Sequence, residues 1–271
     1  SLMSVIGILG GGWLGLALAS EGLEKGYEVR ISATSIEKTK QLLSKGYLAY
    51  FLKISELEIQ GQLNFFKDLD TLVITIPPGL RKNTERNYVG ILQQVVKNIE
   101  SFKIQKVIYT SSTSVYGFQE EVITEESALL GNTPSAQQII KVEQNLIENN
   151  NFSCSILRLG GLMGPDRHPI FSLSGKKNLP NPNSPINFIH QKDAVAILLK
   201  LTENFVGDEV FNGVCPFHPS RKEYYTQMAE IAELPAPTFE EKGKISGVVS
   251  AEKVVSELNC QFMVKNLLIL N

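Results

Sequence analysis

A glycine-rich loop near the start of the chain constrains the fold more than any other feature. The apolar run 5–9 leads into Gly-Gly-Gly-Trp-Leu-Gly at positions 10–15, and residues 13–26 suit a helix. Gly10 would allow a tight turn, Gly12 would let a ligand approach the backbone, and Gly15 would let the helix pack closely on a sheet. A strand, a G-x-G-x-x-G loop and a helix in this order predict a dinucleotide-binding βαβ unit.

An anion is the expected ligand of this loop. The N–H groups in the first turn of a helix and the helix dipole both stabilise negative charge, so a cofactor pyrophosphate would rest there. The alternative is a glycine-rich turn that binds nothing. The predicted cofactor contacts of the loop are Gly10, Gly12, Trp13, Leu14 and Gly15.

Strand and helix patterns alternate along the first part of the chain. Apolar or β-branched runs predict strands at 27–33, 47–52, 70–76, 106–111 and 152–159, with helices at 36–45, 85–102 and 134–149 between them. This alternation is typical of an α/β fold, here a Rossmann doubly wound parallel sheet. We therefore expect residues 1–160 to form an NAD(P)-binding Rossmann domain.

The composition changes beyond this region. Residues 160–185 are rich in Gly, Pro, Asn and Ser, which favours loops. Helices are predicted at 193–201, 222–232 and 251–258, and one more strand at 209–214. We expect residues 161–271 to form a small C-terminal substrate lobe, with about 186–214 returning to the Rossmann sheet.

Charge and cysteine content argue against several classes of protein. The formal net charge is −2 at pH 7, so no overall field attracts nucleic acid or an anionic membrane. The three cysteines lack metal-ligand or disulfide spacing, which predicts no metal site and a reduced, cytoplasmic setting. The apolar stretch 5–19 is too short to span a bilayer and contains five glycines.

The cofactor type depends on the residues that follow the second strand. An Asp or Glu there favours NAD, whereas basic or hydroxyl side chains accommodate the 2′-phosphate of NADP. Residues 31–36 contain no acid, while Thr34, Ser35 and Lys38 could meet a phosphate. We expect NADP, with NAD as the alternative. Pro77 and Pro78 stop the fourth strand and are expected to wall the cofactor cleft.

Three later segments resemble one family. Residues 109–117 (YTSSTSVYG), 157–169 (LRLGGLMGPDRHP) and 187–193 (NFIHQKD) are similar, in this order, to segments of extended short-chain dehydrogenases, the NAD-dependent epimerase/dehydratase group. The resemblance implies hydride transfer to or from a nicotinamide cofactor and a small-molecule substrate, with sugar nucleotides as the family default. It also implies a possible homodimer through the two long helices at 85–102 and 134–149.

The catalytic groups of that family are only partly present. In the family a Ser or Thr bonds to the substrate carbonyl, a Tyr transfers a proton, and a Lys four residues later lowers the pKa of that Tyr. Ser112 falls on the Ser/Thr position, counted back from Val115-Tyr116-Gly117. The helix that begins at Pro134 should supply the Tyr and the Lys, but residues 134–144 contain no tyrosine.

Two alignments of this helix are open. If Lys141 is the family lysine, the Tyr position holds Gln137; if Glu143 matches the family's downstream glutamate, Ser135 and Ile139 hold the Tyr and Lys positions. The Tyr-x-x-x-Lys motif is broken either way. A glycine loop combined with a degraded active site resembles the YeeZ-like subgroup of atypical short-chain dehydrogenases.

Other residues could replace the missing groups. Tyr116 is the best candidate proton donor, against the alternative of a packing tyrosine, and Lys141 could bind the nicotinamide ribose or be a solvated helix lysine. His190 is another candidate acid or base, because histidine is the side chain most often used for proton transfer, and Asn87 falls where the family has an active-site Asn. Residues 166–168 could meet an anionic substrate. The predicted catalytic residues are Ser112, Tyr116 and Lys141.

The leading hypothesis is therefore an NAD(P)-dependent oxidoreductase or epimerase-like enzyme with a modified proton donor. Its substrate would be a small carbonyl compound or a sugar nucleotide. The alternative is a non-catalytic NADP-binding sensor or regulatory protein, which the missing tyrosine favours.

Overall fold

The computed structural model describes residues 3–271, so the first two residues of the predicted Rossmann domain lie outside the described part. The strands are β1 (Val5–Leu9), β2 (Glu28–Ala33), β3 (Leu48–Ile54), β4 (Ile59–Gly61), β5 (Thr71–Ile74), β6 (Lys106–Ser112), β7 (Ser153–Leu159), β8 (Gly161–Met163), β9 (Phe188–His190) and β10 (Val210–Gly213). The helices are α1 (Trp13–Glu24), α2 (Ile36–Ser44), α3 (Tyr88–Ser101), α4 (Pro134–Glu148), α5 (Ile170–Leu173), α6 (Gln191–Glu203), α7 (Arg221–Ala232) and α8 (Glu252–Leu258).

Eight strands form the main sheet in the order β10-β7-β6-β5-β1-β2-β3-β4. Strand β1 pairs in parallel with β2 on one side and β5 on the other, and the chain reverses its direction of winding at this point. The predicted α/β Rossmann class with a doubly wound sheet is confirmed. One edge differs from the prediction, because β4 pairs with β3 antiparallel. Three residues are too few to show a periodic pattern, so β4 could not be predicted from local patterns.

Capping side chains fix where several helices begin. Ser35, Thr133 and Ser220 each accept a hydrogen bond from a backbone N–H in the first turn of α2, α4 and α7. Asn87 does the same for α3, which therefore starts at Tyr88 rather than at the predicted residue 85. The predicted starts of α2 and α4 agree with the structure because their caps are visible in the sequence.

The chain forms two compact units, which are described separately. Unit 1 comprises the described residues up to Ser112 together with Asn132–Leu157 and Leu198–Val210. Its core is built on the apolar strands at the centre of the sheet, where Ile8, Leu9, Ile31, Leu72, Val73 and Ile74 are fully buried. In this division residues 113–131 belong to unit 2 and residues 198–210 to unit 1.

Unit 2 comprises Thr113–Gly131, Arg158–Ile197 and Phe211–Asn271. It contains a two-stranded parallel sheet in which β8 pairs with β9. Within residues 186–214, β10 lies at the edge of the eight-stranded sheet and β9 in the two-stranded sheet. Among residues 3–271, no helix is both long and apolar enough to cross a membrane.

Candidate functional site

The glycine loop connects β1 to α1. It is tightly packed at Gly15 and open at Gly12. Gly10 has a φ of +125°, which a residue with a Cβ rarely adopts. A Cβ on Gly15 would lie 1.9 Å from the carbonyl oxygen of Gly10, so α1 could not stay this close to the loop. A Cβ on Gly12 would meet nothing within 4 Å. The two glycines thus differ: Gly15 is required by the protein itself, and Gly12 keeps a space open in front of the helix.

Two hydroxyl groups hold Gly10 from the neighbouring strands. The N–H of Gly10 donates to the Oγ of Ser32 at 2.9 Å, and Ser32 is buried near the end of β2. The hydroxyl of Thr75, just beyond β5, donates to the carbonyl oxygen of Gly10 at 2.9 Å. Sequence reasoning missed both residues. Hydroxyl residues at the carboxyl ends of the strands that flank β1 are the signal that would have found them.

The helix α1 begins at Trp13, and Gly12 precedes it as the N-cap residue without a side-chain cap. Side-chain caps satisfy first-turn N–H groups in most helices, and their absence suits a helix whose first turn is to meet a ligand. Gly12 is exposed, whereas Trp13 and Leu14 are half-buried. All the predicted loop contacts therefore lie at one turn of the chain.

The end of β2 carries the residues predicted to select the cofactor. Thr34 and Ser35 are exposed, and Lys38 is half-buried in the first turn of α2. The Oγ of Ser35 accepts from the N–H of Lys38 at 3.0 Å, which leaves its hydroxyl proton able to donate to another group. The sequence from Ile31 to Ile36 presents no carboxylate here.

Beyond β5 the chain passes through Pro77 and Pro78, of which Pro77 is exposed and Pro78 half-buried. The guanidinium of Arg86 donates to the carbonyl oxygens of both prolines, at 3.5 and 3.3 Å. Gly79 has a φ of +69°, and a Cβ there would lie 2.2 Å from Arg86 Nη1. Residues 77–79 are therefore held in place by the side chain of Arg86.

Two serines at the end of β6 point in opposite directions, as successive strand residues do. Ser111 is buried, and its hydroxyl donates to Glu143 Oε2 at 2.5 Å. Glu143 lies on α4 and is itself buried, so this bond ties α4 to the strand. The alternation of strand side chains therefore predicts the opposite face for Ser112, the predicted catalytic serine, which is half-buried.

The two possible alignments of α4 place their residues on different faces of the helix. Lys141 and Gln137 are exposed. Ile139 is buried and Ser135 half-buried, one and two turns before Glu143 on the face that packs on β6. The second alignment therefore places its residues on the same face as Glu143, and the first places them on the exposed face. Both alignments stay open: the second puts Ile139 at the Lys position, and the first puts the exposed Lys141 there.

Tyr116 lies in unit 2, in the 3₁₀ turn Thr113–Tyr116, and is 1% exposed. Its hydroxyl donates to Asn212 Oδ1 at 2.6 Å and accepts from the guanidinium of Arg158 at 3.0 Å. Burial raises the pKa of Tyr116, although Arg158 acts in the opposite direction. A buried phenol with both hydrogen-bonding functions satisfied and a raised pKa supports the packing alternative for this residue.

The remaining candidates are also engaged within their own units. Asn87 caps α3 and donates to Glu56 Oε2 at 2.7 Å. His190 is 1% exposed; its Nδ1 accepts from the N–H of Lys192, and its Nε2 bonds to the carbonyl oxygen of Asn271 at 2.8 Å. In the loop 164–169, His168 is buried while residues 166 and 167 are exposed. Among the described residues, no cluster of His, Cys, Asp or Glu could hold a metal ion.

Comparison with known proteins gives one group of sequence relatives and many similar folds. The chain is 31% identical over 267 residues to the protein YeeZ of Escherichia coli K12, with 96% of each protein covered. YeeZ of Escherichia coli O157:H7 matches equally well. No protein-family model matches the sequence.

Three solved structures show the same fold at low sequence identity. A functionally unknown conserved protein from Silicibacter pomeroyi matches with a TM-score of 0.80 at 17% identity, covering 97% of this chain and 95% of that one. UDP-glucuronic acid 4-epimerase from Bacillus cereus, in complex with NAD, matches with a TM-score of 0.79 at 20% identity, covering 96% and 92%. MoeE5, in complex with UDP-glucose and NAD, matches with a TM-score of 0.77 at 18% identity, covering 96% and 93%.

Proposed function

The chain belongs to the family of the protein YeeZ, within the atypical short-chain dehydrogenases, and on this premise we propose that it is an NAD(P)-binding enzyme of the oxidoreductase or epimerase type. The observation that carries the proposal is the glycine loop of unit 1. Its backbone is held in place by Ser32 and Thr75, and the direction of the Gly12 Cβ is left open.

A dinucleotide fits the residues of this loop. The space in front of Gly12 is where a pyrophosphate would approach the uncapped first turn of α1, and the helix dipole would stabilise its charge. Gly10, Gly12, Trp13, Leu14 and Gly15 would form this contact. The nicotinamide ring, when bound, supplies a hydride acceptor or donor, and the protein supplies its position and the exclusion of water.

The cofactor is proposed to be NADP, with NAD as the alternative. The absence of a carboxylate at the end of β2 removes the usual partner of the NAD ribose and the usual repulsion against a 2′-phosphate. The exposed hydroxyls of Thr34 and Ser35 and the ammonium of Lys38 are suited to a phosphate. The two similar solved structures named above that contain a cofactor hold NAD, which keeps that alternative in the proposal.

We place Ser112 at the substrate, where its hydroxyl would donate to a carbonyl oxygen. It is the last residue of β6 and follows Ser111, whose own side chain is bonded to Glu143. The substrate is proposed to be a small carbonyl compound or a nucleoside-diphosphate sugar, because the similar folds include proteins solved with UDP-sugars. A cytoplasmic location and a homodimer through α3 and α4 remain part of the proposal.

A second candidate function rests on α4. The face that packs on β6 carries Ser135 and Ile139, so the phenol and ammonium groups that drive proton transfer in related enzymes are replaced by a weak acid and an alkyl chain. A protein with this face binds the cofactor without transferring a hydride, and would act as a sensor of the nucleotide.

Titration of the intrinsic fluorescence tests cofactor binding directly. The chain has one tryptophan, Trp13, at the first residue of α1, so quenching by a reduced cofactor reports on the loop itself. We expect NADPH to quench Trp13 with a lower dissociation constant than NADH. Absence of quenching by either cofactor at millimolar concentration would refute cofactor binding at the loop.

Restoration of the missing groups separates the two functions. Turnover of NADPH with a panel of carbonyl compounds and UDP-sugars is measured for the native chain and for the double variant Ser135→Tyr/Ile139→Lys. Native turnover supports the enzyme, and turnover only in the double variant supports the sensor. Gln137→Tyr, which recreates Tyr-x-x-x-Lys with Lys141 on the exposed face, is the matched control and is expected to add no activity.

A further inference from the structure

Unit 2 contains five polar side chains spaced three residues apart, and each of them bonds to the main chain of a later segment. We call this set the polar ladder: Asn181, Ser184, Asn187, His190 and Asp193. Its last three members are three of the polar residues in the segment 187–193 that resembles the dehydrogenase family. The segment 187–193 is thus bonded, through these three side chains, to later residues of unit 2.

The first three members of the ladder hold residues 244–249. Asn181 Oδ1 accepts from the N–H of Lys244 at 2.9 Å, and Ser184 Oγ accepts from the N–H of Ser246 at 3.0 Å. Asn187 bonds twice, since it accepts from the N–H of Val249 at 2.9 Å and donates to the carbonyl oxygen of Gly247 at 3.2 Å.

The last two members hold residues 259–271, which we call the strap. The carboxylate of Asp193 accepts from two successive N–H groups, those of Met263 at 2.7 Å and Val264 at 3.1 Å. His190 bonds to the carbonyl oxygen of Asn271 at 2.8 Å. Asp193 itself is 1% exposed, and hydrogen bonds to a charged group are stronger than those between neutral groups. The strap contains no helix or strand and is held by side chains at separate points along its length.

A third contact joins the strap to the loop 164–169. His168 Nδ1 accepts from the N–H of Ile170 at 3.0 Å, so the proton of the neutral ring is on Nε2, which lies 2.9 Å from the hydroxyl oxygen of Tyr224. That hydroxyl in turn donates to the carbonyl oxygen of Leu267 at 2.7 Å. His168, Tyr224 and the carbonyl of Leu267 thus form a chain of two hydrogen bonds, which we call the relay. Each donor in the relay points towards the strap.

The environment of the relay keeps it in this state. His168, Tyr224 and Leu267 are buried, and the rings of His168 and Tyr224 stack with centroids 5.8 Å apart. Burial lowers the pKa of His168 to about 4, so the ring is neutral near pH 7. Leu267 has a φ of +53°, a costly conformation for a leucine that persists only where the surroundings fix it. The strap is thus bent at the residue whose carbonyl meets Tyr224.

We propose that the strap opens and closes as one unit, and that its closure fixes the loop 164–169 through Tyr224, which acts as a positioning residue for His168. The exposed residues Asp166 and Arg167 lie on that loop. A closed strap therefore fixes the position of these two charged residues at the surface of unit 2. This inference goes beyond the proposed function and does not depend on it.

The test uses the full chain labelled with ¹⁵N in its backbone and in its three histidine rings. Tyr224→Phe removes the relay oxygen and keeps the ring, and Asp193→Asn removes the carboxylate that holds residues 263 and 264. Each variant is assessed at the contact that its own substitution does not touch. Tyr224→Phe is expected to speed amide exchange at Met263 and Val264 by about tenfold or more, the effect of losing a buried hydrogen bond.

Asp193→Asn is expected to shift the ring signals of His168 and to speed amide exchange at Ile170. The matched control is Asn181→Ala, which breaks a ladder bond outside the strap and is expected to change neither readout. Effects confined to the mutated end would overturn the proposal, as would equal effects of Asn181→Ala. If Asp193→Asn does not fold, Tyr224→Phe decides the question alone, because unchanged exchange at Met263 and Val264 then refutes a single opening unit.

Discussion

Alanine at Gly12 and at Gly15 should separate two roles that the glycine loop combines. The two residues are three apart in one turn, and the substitution adds the same methyl group at each. Gly15 faces the carbonyl oxygen of Gly10, whereas Gly12 faces open space. We expect Gly15→Ala to lower the stability of the protein and Gly12→Ala to lower its affinity for the cofactor.

The expected size of the Gly15→Ala effect follows from the contact. The added Cβ would lie 1.9 Å from Gly10 O, about 1.5 Å short of ordinary contact, so α1 must move away from the loop. Overpacking of this kind costs about 1–3 kcal/mol, and disturbing the bond from Thr75 to Gly10 adds about 1 kcal/mol. Alanine regains about 1 kcal/mol through its higher helix propensity. The net loss in the free energy of unfolding is therefore about 1–3 kcal/mol.

Gly12→Ala has a different balance. Its φ of −79° and ψ of −162° are open to any residue, and no atom lies within 4 Å of the new Cβ. We expect a change of less than about 0.5 kcal/mol in the free energy of unfolding, since the poorer N-cap and the reduced freedom of the unfolded chain offset each other. A methyl group in the space of the pyrophosphate should weaken NADPH binding about ten- to a hundredfold, which corresponds to about 1.4–2.8 kcal/mol.

Urea unfolding followed by circular dichroism measures the first quantity, and quenching of Trp13 by NADPH measures the second. The N-cap substitution Thr133→Ala serves as a control, because it weakens α4 without touching the loop. Unchanged NADPH affinity in Gly12→Ala would show that the pyrophosphate does not lie in front of this residue. Unchanged stability in Gly15→Ala would contradict the close contact with Gly10.

Three further outcomes are expected. Tyr116→Phe should lower the free energy of unfolding by about 1–3 kcal/mol, since Arg158 and Asn212 lose a buried partner, with unaltered quenching of Trp13 by NADPH. Ser111→Ala should cost about 1–3 kcal/mol in urea unfolding, because the buried carboxylate of Glu143 loses its short bond. His168 has a folded pKa of about 4, below its unfolded value, so the unfolded state binds more protons between about pH 6.5 and 4. Stability should fall by up to about 1.4 kcal/mol per pH unit as pH is lowered through this window, and His168→Gln should flatten that dependence in unfolding titrations.

The fold of unit 1 could be predicted from the sequence because its signals are local. The glycine loop, the apolar strands and the visible caps Ser35 and Thr133 each act within a few residues, and they specify where β1, α1, α2 and α4 lie. The edge strand β4 and the short pair β8 and β9 could not be found in this way. Their three residues gain stability from the strands beside them rather than from any pattern of their own.

In the candidate site, too, only the features set by local sequence could be predicted. The loop residues were found because glycine is required there by sterics, which a sequence displays. The roles of Ser32 and Thr75 depend on which strands flank β1, and that is set by topology. Which face of α4 is buried could not be read from the sequence either, and it is marked in the structure by the bond from Ser111 to Glu143. The spacing by three of the polar ladder was present in the sequence, but its meaning lies in residues more than fifty positions away.

The interleaving of the two units has a consequence for how the chain matures during synthesis. Unit 1 receives its last residue at Val210, whereas unit 2 requires segments up to Asn271, which is 61 residues later. At about 5–20 residues per second, the ribosome needs roughly 3–12 s to add them. Unit 1, which carries the glycine loop, can therefore fold and bind a dinucleotide before residues 263–271 are synthesised. During that time His190 and Asp193 lack the main-chain groups to which they bond in the folded protein.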